Sequence, residues 1–417
     1  MARVMQAWLG LAAMIAVCWL ASEQRRAVNW KFVAAGMLLQ FVLAYLMLNA
    51  APCRVFFRWL CGIATALSDA TQAGTAFVFG YLGGGALPFT PTPQSSTWIM
   101  AFNALPMIIV LGALSSLLFH WKILPIIVNG LSWCLRKSMG IGGALSVGVA
   151  SSVFLGNVEA PLLIRPYLAG LTRGELFALM VAGLATLAGT MLVLYATILE
   201  SVLPDALGHI LTASLISCPA ALVVAELLVP VRGAATAGLP APAAHGSNAV
   251  EAIYAGVMEG MNIYARVLVM LLACVALVHL SNQLLGLLPA VGGAPLTFER
   301  LTGWLFMPLA WLLGIPWSEC AVAGNLLGEK VILNEMIAYL HMAALPAGML
   351  SPQSTLILAY ALCGFANLGS VGIFLGGIGA MIPERRPELC ELAFRALFAG
   401  LLATCMTGAV IGLVCGG

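Results

Sequence analysis

The chain has 417 residues, of which 18 are Lys or Arg and 16 are Asp or Glu, so charged side chains make up 8% where a soluble globular domain carries roughly a quarter. Hydrophobic residues reach 62% and mean hydropathy is +1.03, which excludes an ordinary soluble enzyme and requires apolar surface to face lipid. A net charge of +2 with no basic tract excludes nucleic acid as a partner.

Read in chain order, the sequence is an all-α polytopic membrane protein. A helix rising 1.5 Å per residue needs about 20 apolar residues to cross a bilayer, and about eight stretches qualify. They are Val4–Ala21, Val33–Leu48, Trp98–Leu118, Leu176–Leu199, Ile210–Val229, Val267–Leu288, Ser354–Leu375 and Ala396–Val414. Arg3 before the first stretch resembles the start of a secretory signal, but a second span follows after only a short charged turn, so the first is read as retained. That turn holds Arg25, Arg26 and Lys31, which the positive-inside rule places in the cytoplasm, with the N-terminus outside. Ala51–Gly80 and Leu124–Met139 carry Arg54, Arg58, Arg136 and Lys137 among Phe, Trp and Leu, the pattern of helices lying in the interface.

Gly142–Leu168 and Cys320–Met342 are apolar but interrupted near the middle, by Gly156-Asn157-Val158-Glu159-Ala160-Pro161 in one and by Gly328-Glu329-Lys330 and Asn334-Glu335 in the other. They are too short to cross twice and too polar at the centre to face lipid, so both read as re-entrant helical hairpins. Each is followed about thirty residues later by a Gly-containing polar break, Ala185–Thr190 and Phe365–Ser370. A hairpin and then a broken span, occurring twice, is an internal repeat, and in secondary transporters such repeats meet near the bilayer midplane to form the substrate site. The expected division is residues 1–120 (scaffold spans and first interfacial helix), 121–230 (second interfacial helix, first hairpin, following spans), 231–290 (loop and scaffold span) and 291–417 (interfacial helix, second hairpin, last two spans). Within the third unit, Arg232–Asn248 is an Ala/Gly/Pro-rich surface loop.

Glu159 and Glu335 are the sharpest chemical signals, because an ionisable side chain at membrane depth costs at least ~2.5–3.5 kcal/mol on insertion scales. The bland alternative is that each caps a hairpin tip or pairs with Arg165 or Lys330. A carboxylate accepts two hydroxyl hydrogen bonds at once, which suits a vicinal diol such as a ribose. Asn367 and Ser370, three apart in a break, present an amide and a hydroxyl on one side, or else satisfy freed backbone groups. Asn157 at the first hairpin tip suits either the edge of a nucleobase or a helix cap. Arg266, at the edge of a predicted span, reads as snorkelling to headgroups, with Glu259 and Asn262 in the same polar patch. His120, His279 and His341 stand isolated. No metalloprotease, Walker, nucleophile-elbow or dinucleotide fingerprint occurs, so enzymatic chemistry has no constellation here and no cofactor is implied. The eleven Cys include Cys18, Cys61, Cys218, Cys274, Cys363 and Cys405 inside apolar runs, with no C-x-x-C pair, and read as small buried hydrophobes.

At these residues the sequence resembles the concentrative nucleoside transporter family. The matching stretches include Arg25–Lys31 with Leu39-Gln40-Phe41, Phe77–Gly80, Leu105-Pro106, Met139-Gly140, Gly156–Pro166, Thr172-Arg173, Pro308–Trp311, Gly314–Trp317, Leu333-Asn334-Glu335 and Gly364–Asn367. The resemblance runs from first span to last. It implies a homotrimer in the bacterial inner membrane, each protomer with a scaffold and a mobile transport part of inverted repeats, importing nucleoside by ion-coupled alternating access. Carried over by position, Gly156, Asn157, Val158, Glu159 and Met191 meet the base, and Glu335, Phe365, Asn367 and Ser370 meet the ribose. The family commonly shows Gly-Gln-Thr-Glu at the tip. Here the amide is one methylene shorter and a methyl replaces a hydroxyl, which opens the site to modified or C-linked nucleosides. In sodium-coupled members an Asn in the first hairpin and a Ser or Thr in the next helix hold the ion, and those positions are Ser152 and Thr186, with the Leu155 and Leu187 carbonyls beside them. Ser152 lacks the amide, so a proton carried by Glu159 or Glu335 is favoured over Na+ as the coupling ion. An uncoupled facilitator or exporter, and a non-transporting scaffold or receptor, are the rival readings.

Overall fold

The computed structural model describes residues 2–90, 99–157, 159–233, 236, 248–291, 293 and 295–415, and within these the side chains of Ala2, Ala51, Arg54, Phe56, Phe57, Arg58, Leu60, Cys61, Ala64, Met270 and Cys274 lie outside the description. Val158 and most of the predicted loop Arg232–Asn248 also lie outside it. The described residues form α-helices joined by turns and short 3-10 segments, with no extended strand among them. In order these are α1 (Ala2–Leu20), α2 (Trp30–Asn49), α3 (Ala51–Phe79), α4 (Met100–Asn103), α5 (Met107–His120), α6 (Ile123–Met139), α7 (Gly143–Ser151), α8 (Glu159–Leu163), α9 (Arg165–Leu168) and α10 (Arg173–Ala185). They continue as α11 (Gly189–Leu199), α12 (Ala206–Leu228), α13 (Ala249–Leu285), α14 (Phe298–Leu312), α15 (Cys320–Ile332), α16 (Glu335–Ala344), α17 (Pro352–Leu362), α18 (Leu368–Met381) and α19 (Arg386–Cys415).

Seven segments among the described residues are long and apolar enough to cross a membrane. The eighth predicted span, Ser354–Leu375, is divided between α17 and α18 by an unwound stretch, so it reaches across as two short helices. The span predicted at Leu176–Leu199 is likewise two helices, α10 and α11, parted at Thr186–Ala188. Both segments predicted as re-entrant hairpins have an arm, a turn and a second arm: α7 then α8 and α9, and α15 then α16. The element order of α6–α12 recurs in α14–α19: an amphipathic helix, a hairpin, a broken helix and a long closing helix.

The sequence reading falls short at α13. It begins at Ala249, eighteen residues before the predicted start, and runs 37 residues, about 55 Å. Glu251, Glu259, Asn262 and Arg266 dilute the hydropathy of its first half without breaking the helix. Gly256 and Gly260, spaced four apart, let α13 press against α5: a Cβ on Gly112 would stand 2.6 Å from the Gly256 carbonyl oxygen, and one on Gly260 2.7 Å from the Ile109 Cα.

The core is formed by α10, α12, α17 and α19, which pack on one another, with α2 laid against α12 and α1 against α19. A polar contact joins three of these helices inside the apolar mass. Gln40 Nε2 donates to Thr407 Oγ1 at 3.3 Å, and Thr407 shares a 3.1 Å hydrogen bond with Ser217. At one end, Glu23 in the α1–α2 turn accepts from Arg173 at 2.9 Å and from Arg395, tying that turn to α10 and α19, and the Arg173 guanidinium holds its carboxyl below the usual carboxylate range.

The two helix breaks touch. Gly364 has φ +143°, and a Cβ there would lie 2.8 Å from the Ala185 carbonyl oxygen at the end of α10 and 2.8 Å from Thr404 Cγ2. Glycine is required twice over, by its backbone angle and by the close approach. Gly364→Ala is therefore expected to destabilise the fold by about 1–3 kcal/mol. A clear drop in the thermal midpoint of the purified protein checks this, and an unchanged midpoint contradicts the back-to-back contact.

Candidate functional site

The chemistry gathers around Glu335, the first residue of α16. Asn334 caps that helix, its Oδ1 accepting from the Ile337 N–H at 2.9 Å, so the tip holds the Glu335 backbone rigidly at the helix start. The Glu335 side chain is 3% exposed. Tyr195 Oη, from α11, donates to its Oε1 at 2.6 Å, and Asn367 Nδ2 donates to its Oε2 at 2.9 Å. Asn367 in turn caps α18, accepting from the Ser370 N–H at 2.7 Å. The amide thus uses both ends, one to start a helix and one to aim a carboxylate.

A carboxylate offers about four lone-pair sites, two per oxygen. Tyr195 and Asn367 take one on each oxygen, which by this count leaves one acceptor on each. The alternative in which Lys330 neutralises Glu335 directly is not what the fold adopts, because Lys330 Nζ donates to the Ala361 carbonyl and to Thr404.

The first hairpin approaches from the other side. At its tip Gly156 lies under the Glu159 carboxylate, where any Cβ would collide. Asn157 Oδ1 sits 3.8 Å from where a Gly183 Cβ would be, so the amide lies along α10. The break after α10 is stitched to this hairpin: the Gly189 N–H donates to the Phe154 carbonyl at 3.0 Å, and Thr186 Oγ1 lies 3.0 Å from the Ser152 carbonyl and 2.9 Å from that of Ala182. Ser152 is buried and its hydroxyl turns back to the Val149 carbonyl at 2.8 Å, so it brings a carbonyl to Thr186 and keeps its side chain within its own helix. The Leu187 N–H bonds the Ser214 hydroxyl at 3.2 Å.

Between the two halves is a cavity of about 160 Å³. Gly156, Asn157, Glu159 and Met191 line it from the first half, and Glu335, Phe365, Asn367 and Ser370 from the second. These are all the expected substrate-contacting residues except Val158, which lies outside the described residues. The ion candidates Ser152, Thr186 and Leu187 do not line it. Leu155 lines a smaller neighbouring space of about 50 Å³, which shares Gly156, Glu159 and Thr190 with the larger one.

Three participants were missed or misread from sequence. Tyr195 follows Met191 by four residues on α11, so helical spacing alone would have put them on one face. Thr190 lines both cavities, and its hydroxyl is buried without a hydrogen-bond partner among the described residues. Arg266 is corrected: it is not at a helix end beneath headgroups but seventeen residues into α13, lining the main cavity beside Ile263 and Val267. The longer helix is the reason. Glu259 lines the smaller space with Glu159, while Asn262 lines neither, so the expected patch of three is divided between two cavities. His341, read as isolated, has Nδ1 2.9 Å from Glu329 Oε2.

Chemically the cavity pairs a wall of Met191, Phe365, Ile263 and Ile373, suited to a flat ring, with an aimed carboxylate suited to neighbouring hydroxyls.

Sequence models described as the N-terminus and C-terminus of a Na+ dependent nucleoside transporter match residues 9–82 and 209–412, and one described as nucleoside recognition matches residues 101–202. Nucleoside permease NupC of Helicobacter pylori is 33% identical over 415 residues, 98% of this chain and 97% of that one. An uncharacterized transporter of Bacillus subtilis, YutK, is 34% identical over 416 residues, 99% of each. The solved structure of CNTnw in an inward-facing substrate-bound state superposes with a TM-score of 0.88 at 34% identity, covering 99% of both chains.

Because the Tyr195 bond ends on a carboxylate and that of Tyr339 on the Ala359 carbonyl, at 2.8 Å, the two phenols separate charged from neutral hydrogen bonding. Tyr195→Phe should cost about 1.5–3 kcal/mol and Tyr339→Phe about 1 kcal/mol. Thermal midpoints of the two purified variants check the order. Equal shifts would contradict an ionised Glu335 held by Tyr195.

Proposed function

The chain belongs to the concentrative nucleoside transporter family, and from that premise we propose that it imports nucleosides across the bacterial inner membrane, coupled to a cation and by alternating access. The family is one of integral membrane transporters and not of enzymes. The observation that carries the reading is the Glu335 carboxylate, held by Tyr195 and Asn367 with one acceptor per oxygen left. That pair of acceptors matches the 2′ and 3′ hydroxyls of a ribose. Ser370 and Phe365 complete the ribose end, and Asn157, Glu159 and Met191 face the base.

The short amide of Asn157, and the methyl of Val158 where relatives carry a hydroxyl, favour modified or C-linked nucleosides among the substrates. Arg266 adds a guanidinium to the cavity, a rigid fork that suits neighbouring acceptors on a base edge. The gating pieces are the two hairpins, whose tips line the cavity together with the scaffold helix α13. A homotrimer in lipid accounts for α13, whose membrane-crossing stretch is 6% buried in the single chain.

For the coupling ion, the side chains favour a proton. The Ser152 hydroxyl is turned to Val149, and Glu159 stands between both cavities. Na+ is the second reading, supported by the approach of Thr186 Oγ1 to the Ser152 carbonyl, two hard oxygens 3.0 Å apart. Uptake of labelled uridine into proteoliposomes tests both, under an inward proton gradient without sodium and under an inward sodium gradient at equal pH. The expected result is stimulation by protons, no effect of Thr186→Ala, and background uptake by Glu335→Gln. Stimulation by sodium alone, lost in Thr186→Ala, replaces the proton with Na+. Wild-type uptake by Glu335→Gln overturns the site.

A further inference from the structure

The second hairpin carries a cation at a depth where no water can reach it. Lys330 lies in the last turn of α15 and is 0% exposed. Its Nζ donates to the Ala361 carbonyl at 2.8 Å and to Thr404 Oγ1 at 2.7 Å. Thr404 gives its own hydrogen to the Leu401 carbonyl at 2.9 Å, so toward the lysine it can only accept. Lys330 takes part in none of the ion pairs among the described residues. A buried lysine ordinarily pairs with a carboxylate or snorkels to water; this one is fully buried and touches no carboxylate directly, although its charge and that of Glu335 lie near enough to attract.

Its partner explains the arrangement. The chain stops being helical at Leu362, which leaves the last carbonyls of α17 without their usual donors. Ala359 accepts from the Tyr339 hydroxyl on α16, Tyr360 accepts from the Cys363 N–H, and Ala361 accepts from Lys330 on α15. Both arms of hairpin two therefore close the end of α17, and a cation at the carbonyl end of a helix is favoured by the helix dipole. The unwound residues that follow carry Phe365 and Asn367.

The first repeat is built alike but lacks the cation. Aligning Glu159 with Glu335 places Lys330 opposite Phe154, two residues beyond Ser152, and the break after α10 opposite the break after α17. In each half a hydroxyl of the closing helix faces the break, Ser214 on α12 bonding Leu187 and Thr404 on α19 bonding Lys330. Yet residues 143–164 and 174–231 contain no Lys or Arg. At that place the first half has only oxygens, the Ser152 carbonyl and the Thr186 hydroxyl.

We propose that the Lys330 ammonium is a built-in cation of the second repeat, closing the end of α17 and holding the break that follows it, at a place where the first repeat has only oxygens. Lys330 is a positioning residue, acting on substrate through the break that presents Phe365 and Asn367, and its role rests on the reading that those residues and Glu335 hold the nucleoside.

The test is calorimetric titration of uridine into the purified full-length protein, as wild type, Lys330→Met and Lys330→Ala, in N-methylglucamine chloride with and without ammonium chloride. Methionine keeps the volume and removes the charge, so its affinity should fall about tenfold or more in both buffers. Alanine leaves room, so its affinity should be low without ammonium and rise at least about threefold with it, whereas wild type is indifferent. Wild-type affinity in Lys330→Met shows that only shape is required and overturns the proposal. So does a monodisperse Lys330→Ala whose weakened binding ignores ammonium. If the alanine variant is not monodisperse, the methionine variant decides alone. Failure of the underlying site reading looks different: Glu335→Gln, titrated in parallel, would then bind as wild type does.

Discussion

A carboxylate placed inside the hydrocarbon must have its acceptors occupied, and much of this molecule follows from how Glu335 meets that demand. The side chain is 3% exposed, so removing one donor leaves a buried charge short of a partner. Tyr195 and Asn367 supply two hydrogen bonds from α11 and from the start of α18, so one side chain joins the two repeats. Because each donor takes one site per oxygen, satisfaction is half complete in the protein alone. On the proposed reading, the remaining half receives two adjacent hydroxyls of the substrate.

The breaks follow from the same rule applied to the backbone. A helix that stops inside a membrane exposes carbonyls, and each end here is closed by the hairpin of its own repeat: Lys330 and Tyr339 close α17, and the first hairpin meets the α10 break through Ser152, Thr186 and Phe154. Unwound backbone is then free to carry Phe365 and Asn367 toward the cavity. Gly364 lets the two breaks lie against each other, which places the two half-sites across one space.

How much of this is legible in sequence depends on whether a residue contradicts its surroundings. Glu159, Glu335, Asn157 and Asn367 stand out because polar groups in apolar runs need a reason, and the hairpins and breaks are read from them. Tyr195 does not stand out: a tyrosine in an apolar helix is ordinary, and its role exists only because a residue 140 positions away folds beside it. Lys330 is visible, but its partner is not, since the carbonyl it meets is freed only by a break thirty residues on. Arg266 is misread for a third reason. Polar residues in the first half of α13 lower its hydropathy, and the longer helix that puts Arg266 beside the cavity is held by glycine packing against α5, for which the local signal is the Gly-x-x-x-Gly spacing of Gly256 and Gly260.

The central claim is that the two open acceptors of Glu335 receive two neighbouring hydroxyls. Calorimetric affinities of the wild-type protein for uridine, 2′-deoxyuridine, 3′-deoxyuridine and 2′,3′-dideoxyuridine test it most directly, since the base is constant and only the hydroxyls change. A hydrogen bond to a charged group contributes about 1.5–3 kcal/mol, so each deletion should weaken binding by roughly tenfold to a hundredfold, with the dideoxy compound weakest of all. Equal affinity across the series would contradict the account, because the carboxylate would then be held by Tyr195 and Asn367 for the sake of the fold alone.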